Sequence, residues 1–145
     1  MGKINVQNDI KEKQFFSSRN IIDICTEILG QYSINFYEIN IIISYDEYVR
    51  KLKKDFFEID VYTDVISFNL EDEGDPIDGE IYISWERVKE NANTFEVSLN
   101  SELKRVIIHG ILHLIGYDDG TKEEKQAMTD LENKFLDANS KLTLI

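Results

Sequence analysis

Apolar residues recur along this chain with two periods, and the switches between them predict its elements. Residues 3–7 (KINVQ) alternate weakly and predict an edge strand. Over residues 18–30, Ile21, Ile22, Ile24, Cys25, Ile28 and Leu29 form a stripe at helical spacing, with Gly30 as the stop. Residues 34–43 (INFYEINIII) are rich in β-branched and aromatic side chains and predict a strand. Ser44 and Glu47 have the spacing of a capping box, which opens a helix through about residue 54. Strands at 62–68 (YTDVISF) and 79–84 (GEIYIS) flank an acidic connection containing Gly and Pro, the pattern of a hairpin. A short helix over 85–93 follows Ser84.

The next helix, 99–116, carries Leu103, Val106, Ile107, Ile108, Ile111, Leu112, Leu114 and Ile115. It is apolar almost all round, so it belongs in the middle of the domain. Thr121 and Glu124 make a second capping box and open a last helix to about residue 138. The tail KLTLI yields no element. Strands concentrated early and helices late predict an α+β fold, and 145 residues suit one domain, 1–145, with a real core.

Charge narrows the possible partners. Net charge is −12, from 28 acidic and 16 basic residues, so the chain repels nucleic acid at long range and an RNA partner needs a local basic patch. The charges are uneven: residues 70–80 (LEDEGDPIDGE) hold six acids and no base, and residues 50–54 (RKLKK) hold four bases and no acid. RKLKK reads as the solvated face of a helix or as a binding patch. Cys25 is the single cysteine, which excludes an intramolecular disulfide and, in an apolar stripe, predicts a buried structural thiol. No apolar run is long enough to span a bilayer, and MGKINVQNDI has no apolar region of the secretory type. Met1-Gly2 suits myristoylation, but Val6 stands where that signal wants Ser or Thr. A cytoplasmic protein without a membrane partner is expected.

The candidate chemistry lies in HGILHLIGYDD, residues 109–119, which contains both histidines. A spacing of four puts His109 and His113 on one helix face, where they can share a metal; the alternative is two satisfied histidines of an apolar core helix. Gly116 permits the backbone that ends a helix and turns the chain back. Asp119, six residues after His113, is then placed to reach the same ion. The pattern H-x3-H-x2-G-x2-D has the spacing of the extended zincin motif, with aspartate as third ligand. Two nitrogens and one oxygen leave a fourth position for water, which zinc makes nucleophilic near neutral pH. Asp118 is the alternative ligand; nearer the glycine, it reads as a residue that binds backbone. Hydrolytic zincins carry a glutamate general base after the first histidine. Here that residue is Gly110, so a peptidase mechanism lacks its base. Gly110 also admits close approach by a strand, a substrate backbone or a packed neighbour.

The run His109-Gly110-x-Leu112-His113-Leu114-x-Gly116-Tyr117-Asp118 resembles the signature of the YbeY family, bacterial endoribonucleases of ribosomal RNA maturation. TDVISF (63–68) is similar to that family's T-D-V-L-S-F strand, and GEIYIS (79–84) to its G-D-I-x-I-S strand. The motifs cover about residues 60–130 in the family's order; the first half matches in its pattern of elements. The resemblance implies a small mixed β-sheet flanked by helices, with the metal in a cleft beside a buried, zincin-like central helix. It implies a metal-dependent hydrolase of single-stranded RNA. One Zn2+ per chain is the usual cofactor, with another divalent transition metal as the alternative. The implied roles are 16S ribosomal RNA maturation, notably at its 3′ end, and ribosome quality control. The implied partners are ribosomal RNA and the small ribosomal subunit, with assembly proteins.

On this reading His109, His113 and Asp119 hold the metal, and Asp64 and Ser67 line the cleft as catalytic residues. Asp64 is then a base or a partner to a ligand imidazole. Phe68 and Tyr82 read as core packing or as base-stacking rings, and Glu102 as a residue behind the ligands. Two positions differ from the family pattern. Its common third ligand is histidine, where this chain has Asp119, whose charge makes a bound metal less electrophilic. Many members carry an arginine six residues before the threonine of T-D-V, and here Phe57 stands there. Arg50, Lys51, Lys53, Lys54 and Arg87 are the cations available to replace it. Two rivals follow: a non-catalytic ribosome-assembly factor with a structural metal, docked through RKLKK, and a metallopeptidase.

Overall fold

The computed structural model describes residues 2–72 and 74–145. In chain order these form β1 (Gly2–Asn8), α1 (Ser18–Gln31), β2 (Tyr37–Ser44), α2 (Asp46–Phe57), β3 (Val65–Asn69), β4 (Ile77–Ser84), α3 (Trp85–Thr94), α4 (Leu99–Ile115) and α5 (Lys122–Ala138). The strands make one mixed sheet in the order β1-β2-β4-β3. β1 and β4 run parallel to β2, and β3 returns antiparallel to β4 as the expected hairpin. The fold is α+β, and residues 3–7 do lie on an edge strand. Residues 1 and 73 lie outside the described residues, so the myristoylation reading at Met1 and part of the acidic connection lie there too.

Strand periodicity assigns the two faces. In β4, Ile77, Gly79, Ile81 and Ile83 are buried, whereas Asp78, Glu80 and Tyr82 face the other way. α1 and α4 cover the first face and share its core. α2 lies on the second face, where Tyr48 and Phe56 meet the rings of Tyr82 and Phe68. α4 is the pivot, packed against α1, α3, α5, β3 and β4. Its Leu103, Val106, Ile107, Ile108, Ile111 and Leu112 are all fully buried. Each contributes about 1.5–3 kcal/mol to holding the helix in place. Cys25 is also fully buried, and burial pushes its thiol pKa up to about 12, so it stays a protonated core residue.

Three local expectations are corrected. α1 runs through Gly30 to Gln31; the left-handed residue is Ser33, at φ 56°, and the Ile34 N–H donates to the Leu29 carbonyl in a Schellman closure. Residues 34–36 lie between that turn and β2, which begins at Tyr37. The Ser44–Glu47 capping box does not form. Ser44 ends β2 in register with Ser84, Tyr45 takes the cap position, and the Asp46 N–H donates to Glu86 of α3. A tertiary partner has replaced the local one. The Thr121–Glu124 box does form, and Ser84 caps α3 as expected. The tail, which carried no pattern, is tied down: Leu144 is fully buried, its N–H donates to Asn100 and its carbonyl accepts from Ser17.

Candidate metal centre

The buried girdle of α4 leaves one polar stripe. Arg105, His109 and His113 follow one another at intervals of four, share a helix face, and line a cleft of about 590 Å³. Its other walls are residues 63–67, the end of α2 at Lys53 and Phe57, and the turn at Asp118 and Asp119. β3 reaches this close to α4 because residue 110 is glycine. A Cβ there would stand 2.9 Å from Ile81 Cγ2 and 3.2 Å from Ser67 Oγ. The neighbour admitted by Gly110 is therefore the sheet. The Ser67 hydroxyl donates to the Gly110 carbonyl at 3.0 Å, tying the strand to the helix beside the histidines.

The ligand atoms converge. His109 Nε2 and His113 Nε2 are 3.0 Å apart, and Asp119 Oδ2 lies 3.3 Å from the first and 3.6 Å from the second. Two metal bonds of about 2.0–2.1 Å at a tetrahedral angle separate their donors by about 3.3 Å. The triangle thus has the size of one ion's coordination sphere, and it is the one such group among the described residues. Asp119 rather than Asp118 completes it; Asp118 is exposed at the cleft. Gly116 makes this possible. At φ 121° it closes α4, donating its N–H to the carbonyls of Leu112 and His113, and the chain doubles back to bring Asp119 over the histidines.

Glu132 of α5 was not anticipated, and it fixes the first histidine. Its Oε2 lies 2.6 Å from His109 Nδ1, and the residue is 5% exposed. A proton on Nδ1 is held there, which leaves Nε2 as the lone-pair atom facing the cleft. Burial disfavours the His109 imidazolium, but the Glu132 carboxylate outweighs it, with Asp119 and Asp64 adding to the effect, so the pKa moves up.

Arg105 was missed as well. Its guanidinium bonds to both oxygens of buried Glu102 and reaches Glu132 at 3.4 Å and Asp64 at 3.5 Å. Burial opposes its charge, and the Glu102, Asp64 and Glu132 carboxylates more than restore it, so its pKa lies above the usual arginine range. Spacing could have revealed it, because it stands one turn before His109. No local signal points to Glu132, which is 23 residues from His109. The site and its immediate surroundings hold five carboxylates (Asp64, Glu102, Asp118, Asp119 and Glu132) against the Arg105 guanidinium and the Lys53 ammonium, a surplus of negative charge that a divalent cation would relieve.

Asp64 and Ser67 both line the cleft, but neither bonds to a ligand imidazole among the described residues. Glu132 takes the role foreseen for Asp64. Asp64 Oδ2 accepts from Asn91 at 3.3 Å and from Arg105. Glu102 does stand behind the ligands, acting through Arg105. Of the cations proposed near Phe57, Lys53 lines the cleft; Arg50 pairs with Asp60, and Arg87 with Asp46. Phe68 and Tyr82 are half-buried on the α2 face rather than in the core.

The chain is similar to known proteins in both sequence and fold. The family model for Endoribonuclease YbeY matches residues 4–140. An Endoribonuclease YbeY from Christiangramia forsetii is 40% identical over 135 residues, covering 92% of each chain. Another, from Amoebophilus asiaticus, is 35% identical over 141 residues and 96% of each chain. The solution structure of TM1509 from Thermotoga maritima matches with a TM-score of 0.60 at 28% identity, over 93% of this chain and 90% of that one. Matched over nearly its whole length in sequence and in fold, this chain belongs to the endoribonuclease YbeY family.

Proposed function

We propose that this chain is a metal-dependent endoribonuclease that cuts single-stranded RNA, with one zinc ion as its resident cofactor. Its substrate is ribosomal RNA of the small subunit, notably at the 3′ end of the 16S species, and its compartment is the cytoplasm. No helix among the described residues is long and apolar enough to cross a membrane, which is compatible with that compartment.

The observation that carries this reading is the triangle of His109 Nε2, His113 Nε2 and Asp119 Oδ2 at the wall of an open cleft. Three protein donors beside open space are the arrangement of a catalytic rather than a closed structural site. The ion would supply Lewis acidity toward a phosphoryl oxygen and a water made nucleophilic near neutral pH. The chain's own groups do the rest. Glu132 holds the His109 ring in the ligating tautomer. Ser67 keeps β3 against α4, which sets the width of the cleft. Arg105 keeps Asp64 at the cleft wall through Oδ2, and Asp64 Oδ1, which accepts no hydrogen bond from the described residues, would serve as the base for a water in the cleft.

The test is elemental analysis of the purified protein alongside cleavage of a small-subunit ribosomal RNA fragment, with His113→Ala and Asp119→Ala in parallel. About one zinc per chain is expected, with metal and cleavage lost in His113→Ala and weakened in Asp119→Ala. No stoichiometric metal after adding back zinc, nickel or manganese, or cleavage indifferent to His113→Ala, overturns the reading.

A further inference from the structure

The end of α2 places rings beside the metal cleft that the reaction so far does not use. Phe57 lines the cleft together with Lys53, its neighbour one helical turn back. Phe57 is 49% exposed and Phe56 67% exposed. The Phe57 ring stacks on Phe68 with centroids 5.6 Å apart and planes 17° from parallel, and Phe56 meets the same ring edge-on at 5.3 Å. Phe68 in turn rests on Tyr82. The outer rings are therefore supported from below, their orientation set before any ligand arrives, while their outer faces stay in solvent.

From this we infer that Phe57 and Phe56 form a stacking platform for unpaired nucleobases of the RNA strand, with Lys53 holding a backbone phosphate between platform and metal. The inference rests on the ribonuclease reading above and names how the substrate is held. Charge and position select this occupant over a protein partner. Lys53 makes no ion pair among the described residues, although the chain as a whole carries a charge of −12. An uncommitted cation at the wall of a cleft otherwise rich in carboxylates marks where a phosphate is tolerated. Rings flanking such a cation suit single strands, because every base has a π face while a paired base has none to offer.

The test measures binding of a short, fluorescein-labelled 2′-O-methyl phosphorothioate RNA, which resists cleavage, to the zinc-loaded chain. An abasic oligomer with the same linkages is measured beside it. Phe57→Ala should weaken the base-containing oligomer by about 5- to 150-fold and leave the abasic one unchanged, while Phe57→Trp keeps or tightens binding. Lys53→Gln should weaken both oligomers and flatten the salt dependence. Equal binding by wild type and Phe57→Ala overturns the platform. So does equal loss for the two oligomers, or failure of Phe57→Trp to bind. Because cleavage is scored separately, the two readings fail apart. Cleavage without base-dependent binding removes the platform and leaves the nuclease. Base-dependent binding without cleavage keeps the platform on an RNA-binding chain.

Discussion

Of the side chains around the ligands, Glu132 does most to decide what His109 can be. A buried carboxylate 2.6 Å from Nδ1 sets the tautomer, so Glu132→Gln should lower zinc affinity by about 10- to 100-fold with little loss of fold. Competition with a chromophoric chelator measures this, and unchanged affinity would mean that the ring is oriented by other means. The same carboxylate raises the His109 pKa above its ordinary 6.5. Ligation requires the neutral ring, so protons compete with zinc from a higher pH than they would at a free imidazole. Zinc affinity should therefore fall on acidification, beginning above pH 6.5, and the onset should move down in Glu132→Gln. A titration of apparent Kd against pH reads both effects.

The elements matter through their ends and their closest approach. α4 stops where Gly116 takes φ 121°, and that turn carries Asp119 back to the histidines. Gly116→Ala places a side chain in a strained backbone region, at a cost of about 1–3 kcal/mol. Relief of that strain would displace Asp119, so zinc affinity should fall while the two histidines remain in place. Denaturant unfolding and metal binding measured together distinguish this from general destabilisation. α2 makes the opposite point. Its N-terminus has no side-chain cap of its own and uses Glu86 of α3, because the serine expected to cap it is spent in register with Ser84 at the end of β2.

At the scale of the molecule, the question is whether metal is part of the scaffold. Six fully buried apolar side chains of α4 contribute about 1.5–3 kcal/mol each, and their partners come from both neighbouring helices and the sheet. The ligands lie at the cleft wall, outside that core. Chelation should therefore abolish cleavage yet leave a single cooperative thermal transition. Zinc at a hundred times its Kd should add about 2.7 kcal/mol by mass action. Calorimetry with and without chelator checks this; an unfolded apo protein would instead favour a structural metal and the assembly-factor alternative.

How much of this was readable in advance follows from the range of the forces involved. Amphipathic periods, the glycine after α4 and the H-x3-H spacing are local, so the order of elements, the buried α4 and the convergence of His109, His113 and Asp119 could be read from the chain before it was folded. Arg105 was equally readable, as the third member of a four-residue series, and its role was not. Glu132, the engagement of Ser67 with Gly110, and the capping of α2 by Glu86 were decided only in three dimensions. Each joins residues far apart in the chain through a hydrogen bond whose geometry depends on how α5, β3 and α3 pack against their neighbours. Packing also decided the fate of Phe57. Position in the sequence set it at the end of an amphipathic helix, and only the docking of α2 on the β3 edge set its ring upon Phe68 and beside the cleft.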